Sequence, residues 1–124
     1  MEFRILIGIP HVAVLWDDLS RRYDESHLNK DENKLFVKIV KTMKLLSANP
    51  RYPGLSSHEI DALSRRSNQR VWQSYLENRK PSAGRIYWSY GPGKGEITIL
   101  GIEPHPEDKK RGGYDKVLLS GFLL

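Results

Sequence analysis

Residues 84–114 hold the side chains of this chain best suited to gripping phosphates and moving protons. Gly84-Arg85-Ile86-Tyr87-Trp88-Ser89-Tyr90 and Glu96-Ile97-Thr98-Ile99-Leu100-Gly101-Ile102 read as two strands joined by a glycine-rich hairpin turn, Gly91-Pro92-Gly93-Lys94-Gly95. A polar stretch with His105, Lys109, Lys110, Arg111 and Tyr114 follows. Cleavage of RNA by its own 2′-hydroxyl needs a base, an acid for the leaving oxygen, and cations against the charge that builds on phosphorus. His105 titrates near neutrality. Tyr114 can exchange a proton if nearby cations lower its pKa. Arg85 projects from a strand, where a guanidinium fork can hold a phosphate through two hydrogen bonds. Lys109, Lys110, Arg111 and the turn residue Lys94 add positive field for nucleic acid. The same residues also read as a solvated basic loop after a hairpin, with Tyr114 anchoring the tail by packing.

Other candidate motifs carry less. The turn around Lys94 lacks the Ser/Thr and the following helix of a phosphate-binding P-loop. His105-x-Glu107 has the histidine half of a zinc deaminase motif, but that motif also needs cysteines and the chain has none. The four histidines, at 11, 27, 58 and 105, are widely spaced, so no metal and no cofactor is expected. Trp16, Trp72 and Trp88 read as core residues before they read as base-stacking platforms.

These groups need a scaffold to position them, and 124 residues suffice for one domain, 1–124, with a core of its own. Without cysteine there is neither a disulfide framework nor a thiolate metal site, which fits a cytoplasmic location. The apolar runs fall short of the roughly 20 residues of a membrane span, and Met1–Ile9 has no small-residue cleavage site. A net charge of +5 favours an anionic partner, nucleic acid or an acidic protein.

Phe3–Ile9 reads as a first strand. Val12, Leu15, Trp16 and Leu19 recur at helical spacing from His11 to about Ser26, with Pro10 in the first turn. A second helix is expected over Asp31–Ala48, with Leu35, Phe36, Ile39, Val40, Met43 and Leu46 on one face, and Lys34, Lys38 and Lys41 on the other. Asp31 and Glu32 suit its first turn, and Asn49-Pro50 ends it. The short polar link around His27–Lys30 makes the pair an antiparallel hairpin. Ser56-x-x-Glu59 reads as a capping box opening a short helix to about Leu63. Val71–Leu76 is a strand candidate, and Lys116–Leu124 an edge strand or a segment packed on the sheet. The expected fold is α+β: a small, mostly antiparallel sheet of one N-terminal and three C-terminal strands, with the helices on one face.

This pattern resembles the RelE/ParE superfamily of bacterial toxins from type II toxin–antitoxin systems, over roughly residues 31–117. Arg85-Ile86-Tyr87-Trp88 resembles the family's R-x-x-Y strand, and Ile97–Ile102 its last core strand. His105 and Tyr114 fall where the family has a basic residue and a tyrosine. Leu45-Leu46-Ser47-Ala48-Asn49-Pro50 is similar to the end of its second helix. For RelE-type members the resemblance implies a RelE-like fold and ribosome-associated mRNA cleavage (an mRNA interferase), with Arg85, His105 and Tyr114 as catalytic residues. It also implies a cognate antitoxin as partner. ParE-type members share the fold and inhibit DNA gyrase without being nucleases. Gln73, Tyr75 and Glu77 stand where ribosome-cutting relatives often carry lysines, and the gap from His105 to Tyr114 is longer than usual; the missing lysines favour the non-enzymatic alternative.

Overall fold

Isoleucine at 97, 99 and 102, with Leu100 between them, suits segment 97–102 to the interior of the sheet, where the structure places it. The computed structural model describes residues 2–77, 84–103 and 117–122. Among these the elements run β1 (Arg4–Ile7), α1 (His11–Asp24), α2 (Lys30–Ala48), a 3-10 turn (Pro53–Leu55), β2 (His58–Glu59), α3 (Asp61–Ser67), β3 (Trp72–Tyr75), β4 (Arg85–Tyr90) and β5 (Glu96–Glu103). The strands form one sheet in the order β1-β5-β4-β3-β2.

The α+β class holds, but the sheet is mixed and not mostly antiparallel. Strand β1 runs parallel to β5, with Arg4 opposite Glu96 and Ile7 opposite Ile99. The pairs β5–β4, β4–β3 and β3–β2 are antiparallel. A hairpin turn fixes strand direction, but β1 meets β5 only after a long detour through the helices, a connection that permits parallel pairing. Side-chain period alone carries no direction.

A second correction concerns Ser56-x-x-Glu59. Ser56 ends the 3-10 turn in a left-handed conformation (φ 50°), and Glu59 lies in β2, the strand that sequence reading missed. Helix α3 begins two residues later, behind Ile60, without a side-chain cap. The Glu59 carboxylate is instead held by Arg70 Nη2 at 2.9 Å and Ser64 Oγ at 3.0 Å. A charge-assisted tertiary pair outcompetes the local cap.

Helix α2 caps itself one residue earlier than expected: Asn29 Oδ1 accepts from Glu32 N–H at 2.8 Å, and Glu32 Oε1 accepts from Asn29 N–H at 3.0 Å. Glu32 also receives Arg22 Nη2 at 2.7 Å, tying the end of α1 to the start of α2. Deeper in the hairpin the Trp16 and Phe36 rings stack at 5.3 Å. On the lysine face of α2, Lys38 forms an ion pair with Glu77. Among the described residues no helix is long and apolar enough to cross a membrane.

Both faces of the sheet are covered, a further departure from helices on one side only. Val12, Leu19, Phe36, Ile39 and Leu46 of the hairpin pack on Ile86, Trp88, Ile97, Ile99 and Ile102. On the other face Ile60, Leu63 and Val117 pack on Val71, Tyr87 and Leu100. Strands β4 and β5 are accordingly buried almost throughout, as doubly covered strands are. The partner of Trp88 is Ile99 and that of Tyr87 is Gly101, so Leu100 is an extra residue in β5. This bulge puts Leu100 on the second face and returns Ile102 to the helical one. Segment 117–122 packs on the sheet: Ser120 N–H donates to Leu100 O at 2.8 Å and Gly121 pairs with Ile9. Its Ser120 Oγ accepts from Val12 N–H at 2.9 Å, serving the first turn of α1, which Pro10 does not cap.

Candidate functional site

Tyr75, Arg85 and Glu103 stand in one register row across β3, β4 and β5. Their neighbours Leu76, Ile86 and Ile102 face the helical hairpin, so alternation turns this row to the opposite face. The Arg85 guanidinium carbon lies 5.4 Å from the centre of the Tyr75 ring. Arg85 Nε and Nη1 are buried and, among the described residues, have no hydrogen-bond partner. A guanidinium has five N–H donors and no acceptor, so buried nitrogens without partners create a demand for an oxygen anion. Glu103, facing Arg85 in register, puts a carboxylate at the same end of the sheet.

One strand further out, His58 of β2 faces Gln73 of β3, and its ring centre is 6.4 Å from that of Tyr75. His58 Nδ1 lies 3.1 Å from the Ser56 carbonyl oxygen. A carbonyl only accepts, so this contact assigns the proton to Nδ1 and leaves Nε2 as the basic nitrogen of the neutral ring. A histidine, a tyrosine, an arginine and a glutamate thus span β2 to β5 on one face. Such a set can hold an anion at Arg85 and exchange protons beside it.

Of the residues singled out by sequence, the structure describes Arg85 and Lys94. Arg85 sits at the start of β4, rigidly held within the sheet. Lys94 is exposed on the β4–β5 turn, at the far end of β4 from Arg85, so the two are not brought together. His105, Lys109, Lys110, Arg111 and Tyr114 lie outside the described residues. His58 and Tyr75 join Arg85 through pairings that sequence reading did not place. The local signal for His58 was masked by the apparent helix cap around it; Tyr75 shares the face of Gln73 two residues before it in β3.

Two ion pairs shift titrations elsewhere. The Arg22 hydrogen bonds, followed by the Asn29 backbone N–H, hold the Glu32 carboxyl below its ordinary range. Arg70 and then Ser64 do the same for Glu59. Among the described residues no group of three or more His, Cys, Asp or Glu side chains is placed to hold a metal ion.

What the geometry defines is a class: a small α+β protein whose mixed sheet carries a partly buried arginine between a tyrosine and a glutamate. No protein-family model, no curated protein and no solved structure matches the chain.

Proposed function

We propose that this protein is the toxin of a type II toxin–antitoxin system and cuts mRNA at the ribosome. The observation that carries the reading is the Arg85 guanidinium, with Nε and Nη1 buried and lacking hydrogen-bond partners among the described residues. A scissile phosphate supplies the oxygens that such a fork demands. In the reaction, the 2′-oxygen attacks phosphorus and the bond from phosphorus to the 5′-oxygen breaks. A base takes the 2′-hydroxyl proton, and an acid gives one to the departing 5′-oxygen. His105 and Tyr114 are the assigned proton carriers, and Lys109, Lys110 and Arg111 the electrostatic support. Their segment follows β5 directly, and β5 ends at Glu103, opposite Arg85. Lys94 belongs to a more distant nucleic-acid contact. The net charge of +5 suits both RNA and an antitoxin with an acidic or amphipathic segment.

A second reading is a non-enzymatic toxin of ParE type, acting on DNA gyrase, or a module that only binds a partner. What favours it is strand β3, which offers Gln73 and Tyr75 on the face of Arg85 and no cation. The deciding experiment is primer extension on a defined mRNA in a translating bacterial extract, with the protein and with Arg85→Ala. Cuts at A-site codons that vanish in the variant support the nuclease. No cuts, with folded protein in excess, overturn it in favour of the second reading.

A further inference from the structure

A second site lies on the helical face of the sheet, near the end of β4 opposite to Arg85. There the loop after α2 leans over Trp72, Trp88 and Tyr90 and leaves an open cleft of about 360 Å³, also lined by Arg51, Tyr52 and Ser56. The Trp72 and Trp88 rings stack at 5.8 Å, and Tyr90 meets both edge-on, at 6.3 and 5.1 Å. Trp88 is 1% exposed and forms the floor; Tyr52 and Tyr90 are 46% and 41% exposed and form the walls.

The floor is pre-organised by one chain of hydrogen bonds. Trp88 Nε1–H donates to Ser74 Oγ at 2.9 Å, which lies 2.6 Å from Ser57 Oγ, which donates to Pro50 O at 3.0 Å. The first and last bonds fix the direction of the middle one, with Ser74 donating to Ser57. Leu55, 1% exposed, pins the loop from below. The floor is therefore tied to the 50–57 loop that carries Tyr52 before any ligand arrives.

Two cations border this aromatic surface. Arg51 is exposed and forms no ion pair among the described residues. Arg70 lies 5.5 Å over the Trp72 ring, steadied by Glu59. Flat π-faces beside backbone-neutralising cations are the recognition chemistry of single-stranded nucleic acid, in which every base has a face to stack and every linkage a charge. A purely apolar side chain from a protein partner would leave Arg51 unused.

We infer that the cleft lined by Tyr52, Trp72 and Tyr90 takes one base of a single-stranded nucleic acid, with Arg51 and Arg70 on the flanking phosphates. This site does not depend on the nuclease reading, since Arg85 lies on the other face of the sheet.

The test is titration of the intact protein with a short single-stranded oligothymidylate, which lacks the 2′-hydroxyl and cannot be cut by the proposed chemistry. Tryptophan emission and anisotropy of a labelled strand are read together, beside an abasic strand of equal length. The expected result is saturable quenching by the oligothymidylate, no quenching by the abasic strand, and affinity lowered about 5- to 150-fold by Tyr52→Ala. Arg51→Ala, at an exposed position, must also weaken binding and make it less salt-dependent. Equal binding of the abasic strand, absence of quenching, or unchanged affinity in a folded Arg51→Ala protein would overturn the inference. Each of those results leaves the A-site cutting assay of Arg85→Ala free to succeed or fail by itself.

Discussion

The Arg85 guanidinium carbon sits 5.4 Å from the centre of the Tyr75 ring, and the two residues are direct partners across β3 and β4. The contact fixes the arginine plane without consuming its N–H donors, two of whose nitrogens are buried without hydrogen-bond partners among the described residues. Lysine keeps the charge but not the planar fork or the stacking. Arg85→Lys is therefore expected to fold and to lower A-site cutting by about ten- to hundredfold, the value of one charge-assisted hydrogen bond. Tyr75→Leu is expected to cost about 0.5–2 kcal/mol of stability through the lost cation–π contact. Primer extension and urea unfolding of the two variants check this; wild-type cutting by Arg85→Lys would remove the arginine from the mechanism.

The elements that position Arg85 were legible where they rest on local pattern. The two long helices, β1 and the 85–103 hairpin follow from spacing, and Arg85 was readable because a polar residue opens an otherwise apolar strand. What escaped depends on groups far apart in the chain. His58 pairs with Gln73, and Glu59 is taken by Arg70, so β2 exists only through partners that arrive later in sequence. The burial of β5 on both faces erased the alternation that would have located the bulge at Leu100. Nothing near His58 announces Tyr75 as its neighbour, and their proximity is a product of strand register.

Gly8 lies where β1 enters between β5 and the C-terminal segment. A Cβ there would stand 2.7 Å from Ile99 O and 2.8 Å from Gly121 O, both backbone atoms. Neither can swing aside as a side chain does, and Gly8 N–H already donates to Ile99 O at 2.8 Å. Gly8→Ala is expected to destabilise the protein by about 1–3 kcal/mol, the usual cost of overpacking. A shift of the urea midpoint at unchanged slope reports it, whereas a wild-type midpoint would mean that the edge of the sheet is looser than described.

Ser120, 4% exposed, accepts the Val12 N–H at 2.9 Å across the whole length of the chain. Replacing the hydroxyl with a methyl hydrogen leaves that buried donor without an acceptor. Ser120→Ala is expected to cost about 1–3 kcal/mol, more than its small change in volume would suggest. Amide exchange gives the sharper reading: protection of Val12 falls in the variant while that of the α2 centre follows only the global loss. Unchanged protection at Val12 would mean that water or another group replaces the hydroxyl.

Acid sensitivity follows from Glu32 and Glu59. Both carboxyls are held below their ordinary value of 4.5, by Arg22 and then the Asn29 N–H for the first, and by Arg70 and then Ser64 for the second. A depressed pKa in the folded state contributes stability that is present above the unfolded value and is lost as pH falls through the folded one. The Arg22 and Arg70 shifts are upward from an already high value, so these groups add no pH dependence near neutrality. The melting temperature is expected to carry the full contribution of these pairs, without pH dependence from them, between pH 6 and 8, and to begin losing it below about pH 4.5. Glu32→Gln should lower it at neutral pH and flatten the acid limb, and high salt should shrink both effects because the pairs are exposed to solvent. An acid limb identical in wild type and Glu32→Gln would assign the sensitivity to other carboxylates.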